Sequence, residues 1–147
     1  MYKNILIPTD GSPGSRAAAV AGVKLAKALG ARVTAFFAAP APTPVVYENL
    51  LPVGFVQPNE HAEMIEKAAA KYLGAIEKAA KSAGVKCKSV HVTDDFPADA
   101  ILRVAAKEKC DLIHISSHGR TGLARVLLGS ETQKVLAQSK IPVLVHR

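Results

Sequence analysis

Five short apolar runs alternate along the chain with segments of helical period. The runs at 3–9 (KNILIPT), 32–38 (RVTAFFA), 85–92 (VKCKSVHV), 111–116 (DLIHIS) and 141–145 (IPVLV) read as strands. Between the first two, Ala18, Ala21, Val23, Leu25, Ala28 and Leu29 form a stripe that Gly30 stops, and Ser12-Pro13 supplies a cap and a first helical residue. From Asn59 to Ala83 apolar positions, Met64 or Ile65, then Ala68, Tyr72, Ile76, Ala79 and Ala83, return every three or four residues, until Gly84. Phe96-Pro97 opens a helix over 98–109, and a last one runs from about Ser130 to Gln138. In the third run polar and apolar residues alternate, so one face is wetter and the strand suits a sheet edge.

This strand-helix alternation predicts an α/β fold, one domain over 1–147, with a five-stranded parallel sheet. Right-handed crossovers put helices on both faces. Residues 39–58 depart from the pattern: they hold five prolines, Pro40, Pro42, Pro44, Pro52 and Pro58, and no clear period. They read as a segment without secondary structure, serving either as a connector or as a lid or partner surface.

Composition adjusts this picture little. The chain is 49% hydrophobic with only 5% aromatic residues, a balance that suits buried parallel strands. The net charge of +7 favours anionic partners. However, Lys67, Lys71, Lys78 and Lys81 are interleaved with Glu63, Glu66 and Glu77, as on a solvated helix face. No aromatic-basic interleaving points to nucleic acid. Cys87 and Cys110 lack ligand spacing and read as free thiols in a reducing compartment. No leader-like segment opens the sequence, and no apolar run approaches the ~20 residues of a membrane span. The expectation is a cytoplasmic protein away from membranes.

Candidate chemistry lies at the carboxyl ends of the strands, where parallel sheets bind ligands. Pro8-Thr9-Asp10 follows the first strand, without the glycine spacing of a Rossmann or Walker loop. Asp10 is either a ligand for a base or sugar or a turn aspartate bonded to nearby N–H groups. The loop from Ser116 to Ser130 carries the stronger signal. Gly119 and Gly129 let backbone N–H groups approach an anion, and Gly129-Ser130 opens a helix whose free N–H groups favour negative charge. Arg120 and Arg125 add charge. The plainer alternative is a glycine-tolerant turn with an ordinary helix cap. His118 lies in this loop without a paired carboxylate in sequence and reads as a loop residue rather than a catalyst. His114, inside an apolar strand, reads as a core histidine with its hydrogen bonds satisfied. Asp94-Asp95 reads as a solvated turn rather than a metal pair.

The segments Ile5-Leu6-Ile7-Pro8-Thr9-Asp10-Gly11-Ser12, SHGRTG, LLGSETQKVL and the closing IPVLV together resemble the universal stress protein family, in order and spacing across essentially the whole chain. The resemblance implies an open five-stranded parallel sheet, Rossmann-like and adenine nucleotide alpha hydrolase-like. It also implies a homodimer through the last strand, Pro142, Val143, Leu144 and Val145. ATP-binding members resemble G-x2-G-x9-G-[S/T], a frame that falls here on Ser116, Gly119, Gly129 and Ser130, with serine in place of the first glycine. The Ser116 side chain would either crowd a ligand or bond to it, and the Glu131 carboxylate would repel a triphosphate unless it points away. By position, Pro8, Thr9 and Asp10 would lie near adenine and ribose, Ala38 would offer backbone to the base, and Ile115 would pack beside it. His118, Glu131 and Thr132 complete the implied site. The function so implied is binding of ATP (with Mg²⁺ where it accompanies ATP) or AMP by a sensor or regulatory module in stress response. The alternatives are a nucleotide-independent dimeric scaffold and a slow ATP-hydrolysing or nucleotidyl-transfer enzyme.

Overall fold

The computed structural model describes residues 1–41, 45–48, 51–55, 57–119 and 128–147. Its elements are β1 (Asn4–Thr9), α1 (Pro13–Leu29), β2 (Arg32–Ala39), β3 (Val45–Glu48), β4 (Leu51–Phe55), α2 (Pro58–Ala83), β5 (Cys87–Thr93), α3 (Pro97–Lys107), β6 (Leu112–Ser116), α4 (Ser130–Gln138) and β7 (Val143–His146). The main sheet has the order β5-β2-β1-β6-β7 and is parallel throughout. β5 stands at one edge, as its polar face suggests, and β7 at the other.

Alternate residues of the central strands serve two separate cores. Ile5, Ile7, Val33, Ala35 and Phe37 face α1 and α2, meeting Ala19, Val23, Leu73 and Ile76. Leu6, Phe36, Ile113 and Ile115 face α3 and α4, meeting Ala98, Ile101, Val104 and Val135. Small residues set the spacing: a Cβ on Gly22 of α1 would stand 2.7 Å from Ile7 Cδ1 and 3.1 Å from His114 Nδ1.

At the amino end of the sheet a polar clamp aligns three strands. The Asp111 carboxylate accepts from the Lys3 and Asn4 N–H groups at 2.8 and 3.0 Å, and the buried Asn4 Oδ1 accepts from Thr34 Oγ1 at 2.9 Å. With that end fixed, the carboxyl ends of β1, β2 and β6 open side by side. The winding runs one way from β1 to β2 and the other way from β1 to β6, so these ends frame a topological switch point.

The stretch 39–58 departs from its expected lack of structure. β3 and β4 pair antiparallel with each other and, among the described residues, with no strand of the main sheet. Proline had argued against strands there. Pro52 is accommodated opposite Tyr47 beside a register shift: Val46 faces Gly54 and Tyr47 faces Pro52, which leaves Val53 over as a bulge.

Among the described residues no helix is long and apolar enough to cross a membrane. His114 is buried as expected, with 2% of its surface exposed. It is not fully satisfied, because its Nδ1 has no hydrogen-bond partner.

Candidate functional site

At the carboxyl end of β1 the chain turns sharply into α1. Gly11 has φ +80°, and a Cβ there would fall 2.4 Å from the Tyr72 ring, so both the backbone angle and the space require glycine. The turn is laced by its own side chains. Gly11 N–H donates to Thr9 Oγ1 at 3.2 Å, Ser12 N–H to Asp10 Oδ1 at 2.9 Å, and Ser15 N–H to Ser12 Oγ at 3.2 Å. Thr9 Oγ1 and Ser15 Oγ lie 3.1 Å apart. Asp10 is therefore a turn aspartate, and it also borders a cavity: its Oδ2 lies where a Cβ on Gly119 would come within 2.8 Å.

At the carboxyl end of β6 the loop folds back on itself. Ser116 Oγ donates to the His118 carbonyl at 2.8 Å and lies 3.1 Å from where Gly14 would carry a Cβ. The hydroxyl is thus held by the turn beside the start of α1. Ser117 Oγ lies 3.0 Å from His118 Nδ1. Gly129 N–H donates to the Ser117 carbonyl at 2.6 Å, and Thr132 Oγ1 donates to the Ser116 carbonyl at 2.8 Å. These two bonds dock the first turn of α4 on the end of β6.

Gly129 is the N-cap of α4, with φ −66° and ψ 158°, extended values open to any residue. Closeness is what requires glycine: a Cβ would meet Ser117 O at 3.3 Å and His118 Cα at 3.4 Å. Lacking a side chain, Gly129 caps none of the first N–H groups of α4, which have no acceptor within the helix. Glu131, in that first turn, sends its carboxylate to α3. Its Oε2 accepts from Ala98 N–H at 2.9 Å and its Oε1 lies 3.2 Å from Lys134 Nζ.

Together these ends enclose a cavity of about 440 Å³, within the range of small-molecule sites. All twelve residues singled out from sequence line it. Pro8, Thr9 and Asp10 come from β1 and its turn, Ala38 from β2, and Ile115 and Ser116 from β6. His118 and Gly119 come from the following loop, and Gly129, Ser130, Glu131 and Thr132 from the start of α4. Arg120 and Arg125 lie outside the described residues.

Six further residues line the cavity that the sequence reading missed: Ser15, Phe36, Pro97, Ile101, Leu128 and Gln133. Two had a readable signal. Phe36 lies two positions before Ala38 and so shares its face of the strand, and Ile101 follows Pro97 by one helical turn. One side of the cavity is apolar, built from Pro8, Phe36, Ala38, Ile101 and Ile115. The other carries the backbone donors at the start of α4. Such a site can hold a flat apolar group at one end and an anion at the other. Among the described residues no group of three metal-ligating side chains occurs.

A model of the universal stress protein family matches residues 1–147. The chain belongs to this family. Universal stress protein MJ0531 of Methanocaldococcus jannaschii is 35% identical over 151 residues, covering 99% of this chain and 82% of that protein. The solved structure of MJ0577, another universal stress protein of that organism, superposes with a TM-score of 0.70 at 28% identity, covering 99% of this chain and 95% of that one. A universal stress protein solved in complex with cAMP has the same fold, with a TM-score of 0.71 at 24% identity over 99% of this chain and 97% of that one. The parallel sheet described above is thus the universal stress protein fold.

Proposed function

We propose that this universal stress protein binds an adenine nucleotide, AMP or ATP, as a sensor or regulatory module. The observation that carries the reading is the amino terminus of α4, uncapped by any side chain among the described residues, at one end of a cavity with an apolar wall at the other. In this reading adenine lies against Phe36, Ala38 and Ile115, and the ribose lies near Thr9 and Asp10. The phosphates meet the N–H groups of Gly119 and Ser130, while that of Gly129 is held by the Ser117 carbonyl and shapes the loop around them. A triphosphate enters with Mg²⁺. The family member solved with cAMP lends support, since its ligand is also an adenylate.

The Gly129→Val variant tests the reading. Its side chain fills the space against Ser117 and His118 without demanding a new backbone angle. Calorimetric titration with AMP and ATP is expected to show a loss on the order of 100-fold, about 2.7 kcal/mol, while circular dichroism shows the fold retained. Unchanged affinity places the phosphates elsewhere.

A second reading, pairing of two copies through β7, has its own support. β7 is an edge strand, and Leu144 within it is 40% exposed. Unpaired apolar edges invite strand addition. Light scattering at micromolar concentration is expected to give twice the chain mass, and a monomeric mass counts against it.

A further inference from the structure

Three helix amino termini converge on the cavity, and they are served differently. Ser12 caps α1 from within. Among the described residues α4 has no capping side chain. α3 has none of its own either: its N-cap is Phe96, with no side-chain bond to the helix. Its Ala98 N–H is instead served by Glu131, which projects from the first turn of α4. Glu131 thus does at α3 what a phosphate would do at α4.

That bond fixes where a negative charge sits. A carboxylate free to rotate would swing into water when an anion arrived. Held at 2.9 Å by Ala98 N–H, it stays on the cavity wall one residue after Ser130. Its compensating partner is weak, because the Lys134 side chain is more than half exposed and screened by solvent. Among the described lining residues there is no Lys or Arg to offset the Glu131 carboxylate.

We propose that Glu131 sets how much phosphate charge the cavity accepts, favouring an adenylate of low net charge such as AMP over metal-free ATP, an effect that Mg²⁺ on the triphosphate offsets. The proposal rests on the nucleotide reading above. The physical reason is Coulombic: in a partly solvated cavity, each added phosphate charge several ångströms from a fixed carboxylate weakens binding by a few-fold to about ten-fold. Charge-independent contacts of the base and ribose are unaffected, so the effect appears in the ratio of affinities.

The experiment is a calorimetric titration of AMP, ADP and ATP, without divalent metal and at low salt, into the wild-type chain, Glu131→Gln and Lys134→Gln. Glutamine keeps an oxygen for Ala98 N–H and removes the charge. In Glu131→Gln both affinities are expected to rise, ATP more than AMP, so that the AMP:ATP affinity ratio falls about ten-fold. Lys134→Gln removes the partial compensation and should move the ratio about two- to three-fold the other way, through a residue on the outside of the helix. Both shifts should shrink in 0.5 M salt. Binding of all three nucleotides with ratios unchanged in both variants overturns the role of Glu131 and leaves the nucleotide reading standing. No binding of any nucleotide to any of the three proteins overturns both.

Discussion

The amino termini of α1 and α4 flank one cavity, each follows a central strand of the sheet, and each is written in glycine and serine. Their chemistry is nonetheless opposite. At α1 the serine precedes the first helical residue: Ser12 is the N-cap, its Oγ accepts from Ser15 N–H, and Pro13 offers no donor. At α4 the order is shifted by one. Gly129 takes the cap position and Ser130 is already inside the helix, so no hydroxyl stands where it could cap. A shift of one residue converts a closed helix end into an open one. The two glycines differ in the same way. Gly11 is required by a left-handed backbone and the Tyr72 ring, Gly129 only by the nearness of Ser117 and His118. The first turn ties its donors to its own side chains; the second, among the described residues, leaves its first helical N–H groups without a capping side chain.

Opening the closed end should separate these roles. In Ser12→Ala, Ser15 N–H loses its acceptor at a position where both residues are buried. The expected cost is about 1 kcal/mol and up to about 2, read as a shift in the urea midpoint at constant slope. Nucleotide affinity should change by less than about three-fold. A loss in Ser12→Ala as large as that in Gly129→Val would show that α1, not α4, faces the phosphates.

Much of this contrast is legible in the sequence, because strand ends and helix caps are local. The run of Ile5 to Thr9 and that of Leu112 to Ser116 each end in turn residues, and the spacing of Gly119, Gly129 and Ser130 follows from one loop. What was not legible depends on residues far apart. Glu131 read as a charge that would repel phosphate unless it pointed away, and its direction is set by Ala98, 33 positions earlier. The Ser116 hydroxyl read as a ligand contact or an obstruction, and it is held by the His118 carbonyl beside Gly14, on a different element. The hairpin β3-β4 was hidden by its prolines, since a bulge that accommodates Pro52 has no signature in one strand alone.

The smallest expected effect concerns how α1 is seated. It rests on β6 where Gly22 leaves room for His114, whereas α4 packs through Val135 into the other core. Burial, and secondarily the neighbouring His146 imidazole, hold His114 below the ordinary imidazole value. Folding therefore disfavours the protonated ring. Above the ordinary value, about 6.5, His114 is neutral in both states and makes its full contribution. As the pH falls from there towards the lowered native value, the unfolded chain takes up the proton first and stability is lost. One such proton gives a slope of at most about 1.4 kcal/mol per pH unit. Urea unfolding of wild type and His114→Leu at pH 7.5, 6.5 and 5.5 should show the wild type losing more stability over the acid interval than the variant. Parallel losses would mean that protonation of His114 does not loosen the seat of α1, and that the closed and open helix ends respond to acid alike.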